Sequence, residues 1–231
     1  MSGVSGLGLA DPARAGRWGD LRLRIASAAV LAPLGLGAIW VGGGWFAAVA
    51  AAAGAGLAWE WARMCRSRIL ALVPGFLYLA CAVAGLTWLR GEPTAGRSNV
   101  LFLVLVVWAS DIGAYATGRW FGGVKLAPAI SPGKTWSGAV GGLVAAILVG
   151  VAGSDAGGYA GAGILAGGFG LVAQAGDLAE SAMKRRFGVK DSGALIPGHG
   201  GLLDRLDGLL AVAGVATILA ILMGRGVRLW Q

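Results

Sequence analysis

Charge is what this chain has least of. Asp, Glu, Lys and Arg make up 13% of its residues, against roughly 25% in an ordinary soluble domain, which excludes a soluble globular class. Cysteine is nearly absent: Cys65 and Cys81 have neither metal-ligand spacing nor a thiol motif, and read as small apolar or helix-end residues. The alternation of apolar and polar residues that a membrane barrel requires is missing, so the segments are helices. No internal repeat is visible, and no low-complexity segment beyond a Gly/Ala bias. The net charge of +8 does not imply nucleic acid, because the basic residues form no single block. They sit at the ends of apolar runs, which is a topology signal.

What the chain does have is apolar length. Hydrophobic residues make up 57% of it, with 43 glycines. Ile69–Leu89, Thr135–Gly153 and Ala156–Gly176 each approach or exceed the roughly 20 residues that span a bilayer core as helix. Ser27–Trp59 is long enough to cross twice if it turns at Gly42-Gly43-Gly44. The expectation is an all-α, polytopic bundle of about seven transmembrane helices, near Ile25–Val41, Trp45–Ala62, Ile69–Leu89, Asn99–Arg119, Thr135–Val151, Gly157–Phe187 and Leu203–Met223. Residues 1–24 are expected to be a cytoplasmic tail, since Met1–Asp20 lacks the apolar core of a cleavable signal peptide. Residues 25–98 form an N-terminal transmembrane region. Residues 99–231 form a catalytic region with loops at 120–134 and 188–202.

Counting Lys and Arg on alternate sides orients the bundle. Fifteen fall on one side: Arg14, Arg17, Arg22, Arg24, Arg63, Arg66, Arg68, Arg119, Lys125, Lys134, Lys184, Arg185, Arg186, Lys190 and Arg205. Four fall on the other: Arg90, Arg97, Arg225 and Arg228. Together they are all 19 basic residues. The N-terminus is therefore expected in the cytoplasm, and both long loops with it. Small residues four apart, Gly157 with Gly161 and Gly163 with Gly167, suit close helix approach in lipid. Trp40, Trp45, Trp59, Trp61, Trp88, Trp108, Trp120, Trp136 and Trp230 lie near span ends and read as interfacial anchors.

Ionisable residues inside such spans are costly, so each is a functional candidate. Asp111, Tyr115 and Arg119 share a helical face leading to the first long loop, either as a site wall or as a structural contact between helices. Asp177, Glu180 and Lys184 share another face, and Asp204 and Asp207 open the last span. Asp177, Asp204 and Asp207 can converge on a hard divalent cation such as Mg²⁺, which takes carboxylates and substrate phosphates; salt bridges to Arg185 and Arg205 are the alternative. Ile196-Pro-Gly-His-Gly-Gly201 offers backbone N–H groups to anions. Ile130-Ser-Pro-Gly-Lys-Thr135 presents Lys134 with two hydroxyls, without the spacing of a P-loop. His199, the one histidine, is open to an acid/base role or to a hydrogen-bonded loop role.

Residues 181–207, SAMKRRFGVKDSGALIPGHGGLLDRLD, resemble the signature of the phosphatidate cytidylyltransferase (CDP-diacylglycerol synthase) family. The shared residues are Ser181, Lys184-Arg185, Lys190-Asp191, Pro197, His199-Gly200-Gly201, Asp204-Arg205 and Asp207. Gly176-Asp177-Leu178, the segment Asp111 to Tyr115 and Ile130 to Thr135 also resemble that family's motifs, in its order, from about Leu101 to Asp207. The resemblance implies transfer of CMP from CTP to phosphatidate in the cytoplasmic membrane of a bacterium, with the active site on the cytoplasmic face. It also implies dependence on Mg²⁺, a second cation being open, and a homodimer. It places the metal on Asp177, Asp204 and Asp207. Lys184 and Arg185 join them as catalytic groups. The substrates are expected to meet Asp111, Tyr115, Lys125, Ser131, Lys134, Thr135, Lys190, Asp191, His199, Gly200 and Arg205. Two features depart from the family: Ser137 stands where a Glu is usual after Lys-Thr-Trp, and the chain is short between Trp61 and Tyr78. A CTP-dependent polyprenol or phytol kinase and an ion transporter are the rival readings. The full 181–207 signature argues against the first, and the one-sided charge without a repeat argues against the second.

Overall fold

The structure is a computed structural model that describes residues 12–65, 68–154, 158–224 and 228–230, with backbone alone for 12–22. Met1–Asp11, Arg66, Gly157 and Arg225 lie outside the described residues, as do the side chains of Arg14, Arg17 and Arg22. Seven helices and one hairpin make up the described chain: α1 (Pro12–Val41), α2 (Gly43–Met64), α3 (Ile69–Arg90), α4 (Gly96–Phe121), β1 (Lys125–Ala127), β2 (Ser131–Thr135), α5 (Trp136–Ala152), α6 (Tyr159–Arg186) and α7 (Leu203–Met223). A helix satisfies its own backbone groups, which is the condition for a charge-poor segment to lie in lipid. Leu23–Val41, α3, α4, α6 and α7 are long and apolar enough to cross a membrane; α5 is apolar but 17 residues long. The chain is an integral membrane protein.

The seven expected segments correspond to the seven helices. The last is bounded as expected, at Leu203 and Met223. The first helix begins earlier: α1 starts at Pro12, so residues 12–22 are helical ahead of the apolar stretch Leu23–Val41. The turn at Gly42-Gly43 is real, and both residues take positive φ (72° and 55°), a conformation open to glycine. The 120–134 loop is not plain coil. Its β1 and β2 pair antiparallel, Lys125 with Thr135 and Ala127 with Ser131, a small strand pair in an otherwise helical fold.

α4 packs against α5, α5 against α6 and α6 against α7, while α3 bridges α2 and α7. The closest approaches run along one stripe of α5, Gly138, Gly142, Ala146 and Gly150, all buried. A Cβ on Gly142 would lie 2.7 Å from Ser110 O of α4, and one on Gly150 would collide with Ala162 O of α6. Small residues every fourth position let backbones meet in lipid, where dispersion replaces the hydrophobic drive. Of the glycine pairs singled out in α6, Gly163 and Gly167 do pack on Val151 and Ile147 of α5, whereas Gly161 faces open space.

Large apolar side chains such as Leu70, Ile218 and Leu222 point outward, as lipid-facing surfaces do. Trp40, Trp45, Trp120 and Trp136 are exposed, in keeping with interfacial positions. Trp61 and Trp230 are not anchors. Trp61 is buried against Gly75, and Trp230 stacks on Phe102 with centroids 4.3 Å apart.

Candidate active site

The 120–134 hairpin, the 188–202 loop and the α2–α3 turn gather at one end of the bundle. Arg185 Nε donates to Ile130 O of the hairpin (3.3 Å) and its Nη1 to Val189 O of the loop (3.3 Å). Trp61 of α2 meets the Phe187 ring edge-on at 5.9 Å. The opposite end carries the α1–α2 turn, where Arg90 Nε donates to Ile39 O (2.6 Å) and Arg97 lies over Trp40. The two long loops are thus on one face, as the alternation of charge requires.

Below the loops a polar cavity of about 770 Å³ opens between α4, β2, α6 and α7. The helical period brings the anticipated faces to it. Asp111, Tyr115 and Arg119 line it from α4, Asp177, Glu180 and Lys184 from α6, and Asp204, Arg205 and Asp207 from α7. Lys134 enters from β2 and sets its Nζ 2.6 Å from Asp177 Oδ2. Thr135 also lines the cavity, but its hydroxyl is occupied as the N-cap of α5, accepting from Gly138 N at 3.1 Å, which satisfies an otherwise orphaned helix donor.

Asp177, Glu180 and Asp207 each offer a carboxylate oxygen within 4.8 Å of the others. Three hard oxygen donors at this separation form a set that can hold a divalent cation. Glu180 Oε1 is buried without a hydrogen-bond partner, a costly state for a carboxylate oxygen that a bound cation would relieve. Its Oε2 lies 2.9 Å from Lys184 Nζ.

The trio expected from the sequence is brought together only in part. Asp177 and Asp207 converge, and Glu180 joins them where Asp204 was expected. Asp204 is occupied on both oxygens: Oδ1 takes Lys184 Nζ at 2.7 Å, Oδ2 takes Gly201 N at 2.9 Å, and Ser192 N reaches both at 3.2 and 3.1 Å. The carboxylates' ion-pair partners are Lys134 and Lys184, not the Arg185 and Arg205 considered from the sequence. Arg205 instead donates twice to His199 O, at 3.1 and 2.7 Å.

Several other candidates stand outside the cavity wall. Arg185 ties the hairpin to the loop. His199 turns its Nδ1 to Ser27 Oγ of α1 at 2.7 Å, inside a tight turn where Gly198 and Gly200 take positive φ. Lys125, Ser131, Lys190, Asp191 and Gly200 do not line the cavity. Ser137, at the family's usual Glu position, donates its hydroxyl to Gly122 O and lies 3.0 Å from Thr135 Oγ1, so it joins the end of α4 to the start of α5.

A second cavity, about 1220 Å³ and largely apolar, lies between α3, α6 and α7, with Pro74, Leu79, Val172, Ala211 and Val215 in its walls. Glu180 and Asp207 line both cavities. The carboxylate group is the partition between a polar chamber and a greasy one.

Residues 67–223 match the sequence profile of the cytidylyltransferase family. The chain belongs to that family. It is 39% identical to the phosphatidate cytidylyltransferase of Brucella suis over 248 residues, covering 85% of this chain and 92% of that protein. The corresponding figures for the phosphatidate cytidylyltransferase of Rickettsia felis are 37% over 213 residues, 88% and 93%. That of Staphylococcus saprophyticus is 43% identical over 141 residues, 59% of this chain and 54% of that protein. Two carboxylates that the geometry draws to this region fall outside the sites named from the sequence. Glu180 was visible on the Asp177 face, three residues on. Glu60, fully buried in α2, carried the one signal that could have exposed it: a carboxylate inside an apolar span.

Proposed function

We propose that the chain transfers CMP from CTP to phosphatidate, giving CDP-diacylglycerol and pyrophosphate. The observation that carries this reading is the pair of carboxylates, Glu180 and Asp207, shared between a polar and an apolar cavity. A water-soluble polyphosphate and a lipid phosphate need such a meeting point, and the relatives named phosphatidate cytidylyltransferase support the same pair of substrates. CTP occupies the polar cavity, where Lys134, Arg119 and Arg205 offset its phosphate charge. Phosphatidate enters by the apolar cavity, whose lining includes two exposed arginines, Arg68 and Arg186.

In the reaction an oxygen of the lipid phosphate attacks the α-phosphorus of CTP. The new P–O bond forms as the bond to the bridging oxygen of pyrophosphate breaks, in line, and the pyrophosphate carries away the electron pair. No protein nucleophile is required. Asp177, Glu180 and Asp207 would hold Mg²⁺, which would supply positive charge to offset the two anions and the departing pyrophosphate. Asp204 holds Lys184 at the edge of that group. The site faces the cytoplasm of a bacterial cell, with the N-terminus on the same side, supported by the charge asymmetry. The protein works as a homodimer, as the family resemblance implies.

Purified protein supplied with α-labelled CTP, phosphatidate and Mg²⁺ should yield labelled CDP-diacylglycerol and pyrophosphate. Transfer of the γ-phosphoryl group to a lipid alcohol, with CDP released, would overturn the assignment. Glu180→Gln and Asp204→Asn separate the two carboxylate sets: the first should raise the Mg²⁺ requirement more than the second.

A further inference from the structure

We propose that Glu60 is a positioning residue for this reaction, capping α7 from the neighbouring helix α2 and thereby holding Asp204 and Asp207 against α6. The proposal rests on the reading of Asp177, Glu180 and Asp207 as the cation-holding group. Glu60 lies before the stretch that matches the family, 67–223.

Helix α7 begins without a cap of its own, since Leu202 at its N-cap position has no side-chain acceptor. The first N–H groups of any helix lack partners within it, and negative charge is favoured there. Glu60 supplies both needs. Its Oε1 accepts from Leu202 N at 2.9 Å and its Oε2 from Leu203 N at 2.8 Å, with Ser192 Oγ adding a third donor at 3.3 Å. The side chain is fully buried, where an anion is costly unless its oxygens are satisfied. The loop is shaped to this carboxylate. A Cβ on Gly193 would lie 2.6 Å from Glu60 Oε1, and one on Gly201 would lie 2.9 Å from Oε2.

Ser192 is the link onward. Its hydroxyl reaches Glu60 while its N–H reaches Asp204; Asp204 holds Lys184 at 2.7 Å, and Lys184 holds Glu180 at 2.9 Å. A carboxylate on α2 is therefore joined through four contacts to the carboxylate group between the cavities. Glu60 lines neither cavity and reaches the apolar one only through the backbone of Leu203, so it acts through α7 and the loop.

The test compares full-length wild type, Glu60→Gln and Asp207→Asn in one lipid composition, recording kcat, both KM values, the Mg²⁺ half-saturation and the thermal midpoint. Gln keeps the shape but turns an NH2 toward one of the α7 donors. Outer groups that orient metal ligands typically change affinity or activity roughly 10–100-fold, so folded Glu60→Gln should lose kcat in that range. Its Mg²⁺ requirement should rise while the KM for phosphatidate stays put. A lowered midpoint with wild-type kcat and Mg²⁺ dependence in the folded enzyme would reduce Glu60 to a scaffold residue and defeat the proposal. If Glu60→Gln does not fold, Ser192→Ala removes only one donor and should lower kcat about fivefold, the worth of one hydrogen bond; an unchanged kcat and Mg²⁺ dependence defeats the proposal equally. Full activity in Asp207→Asn, or no Mg²⁺-dependent product from wild type, would instead sink the reading of the carboxylate group itself.

Discussion

The two cavities differ in the charge that lines them. The polar one draws on α4, the hairpin, α6 and α7 and carries Lys134, Lys184, Arg119 and Arg205; the apolar one draws on α3, α6 and α7 and is walled by side chains such as Leu79 and Val215. They have Glu180 and Asp207 in common and no other lining residue. The difference teaches that, on the proposed reading, the two substrates would meet at a shared wall and not in one pocket. The bundle keeps two solvents apart and places its anionic group on the boundary.

Substitutions that act on the boundary should hurt both substrates, and those in one chamber should hurt one. Asp207→Asn strikes the boundary and should lower turnover about a thousandfold, at the upper end of what one preorganised electrostatic group contributes; turnover within tenfold of wild type would remove Asp207 from the chemistry. Lys134→Met acts on the polar side. It should raise the KM for CTP roughly thirtyfold, from loss of a desolvated charge contact, and leave the KM for phosphatidate unchanged. Val215→Trp fills the apolar side and should lower kcat/KM for phosphatidate about tenfold, the scale of misfit in a hydrophobic pocket, without altering the KM for CTP. Equal effects of Lys134→Met and Val215→Trp on both substrates would erase the distinction between the chambers. His199→Ala should change turnover by less than about twofold, because its ring faces Ser27 and not either chamber; surface-type contacts of this kind contribute little. A large fall there would bring the α1 contact into the site.

Much of this architecture is written in local pattern. The span of α7, Leu203–Met223, could be read to the residue from its long apolar run, with Asp204, Arg205 and Asp207 in its first two turns. The faces Asp111–Tyr115–Arg119 and Asp177–Glu180–Lys184 followed from the helical period alone, and both line the polar cavity. What could not be read is which carboxylate remains available. Asp204 and Glu180 look equivalent in sequence, yet Asp204 is claimed by Lys184 and by two N–H groups of a folded loop. That docking is decided by how the 188–202 loop folds back onto α6 and α7, which no local pattern in the chain records. Glu60 is hidden for the same reason: its donors lie more than 130 positions away. Arg185 and His199 sit in the family signature, but their partners are a hairpin carbonyl and an α1 hydroxyl, supports for the loops and not walls of the cavity.

The greasy chamber also sets the scale on which the enzyme would sense its lipid substrate. Leu70, among its lining residues, is almost wholly exposed, so the chamber opens onto the outer apolar surface of the bundle, the surface that a bilayer would cover. A molecule entering there is counted per unit area of bilayer, whereas CTP is counted per unit volume of water. Diluting phosphatidate with inert lipid at constant total amount should therefore slow the reaction, and adding water at constant surface composition should not, provided CTP is held fixed. One active site would then answer to two concentrations with different dimensions, and the composition of the membrane would itself regulate the rate.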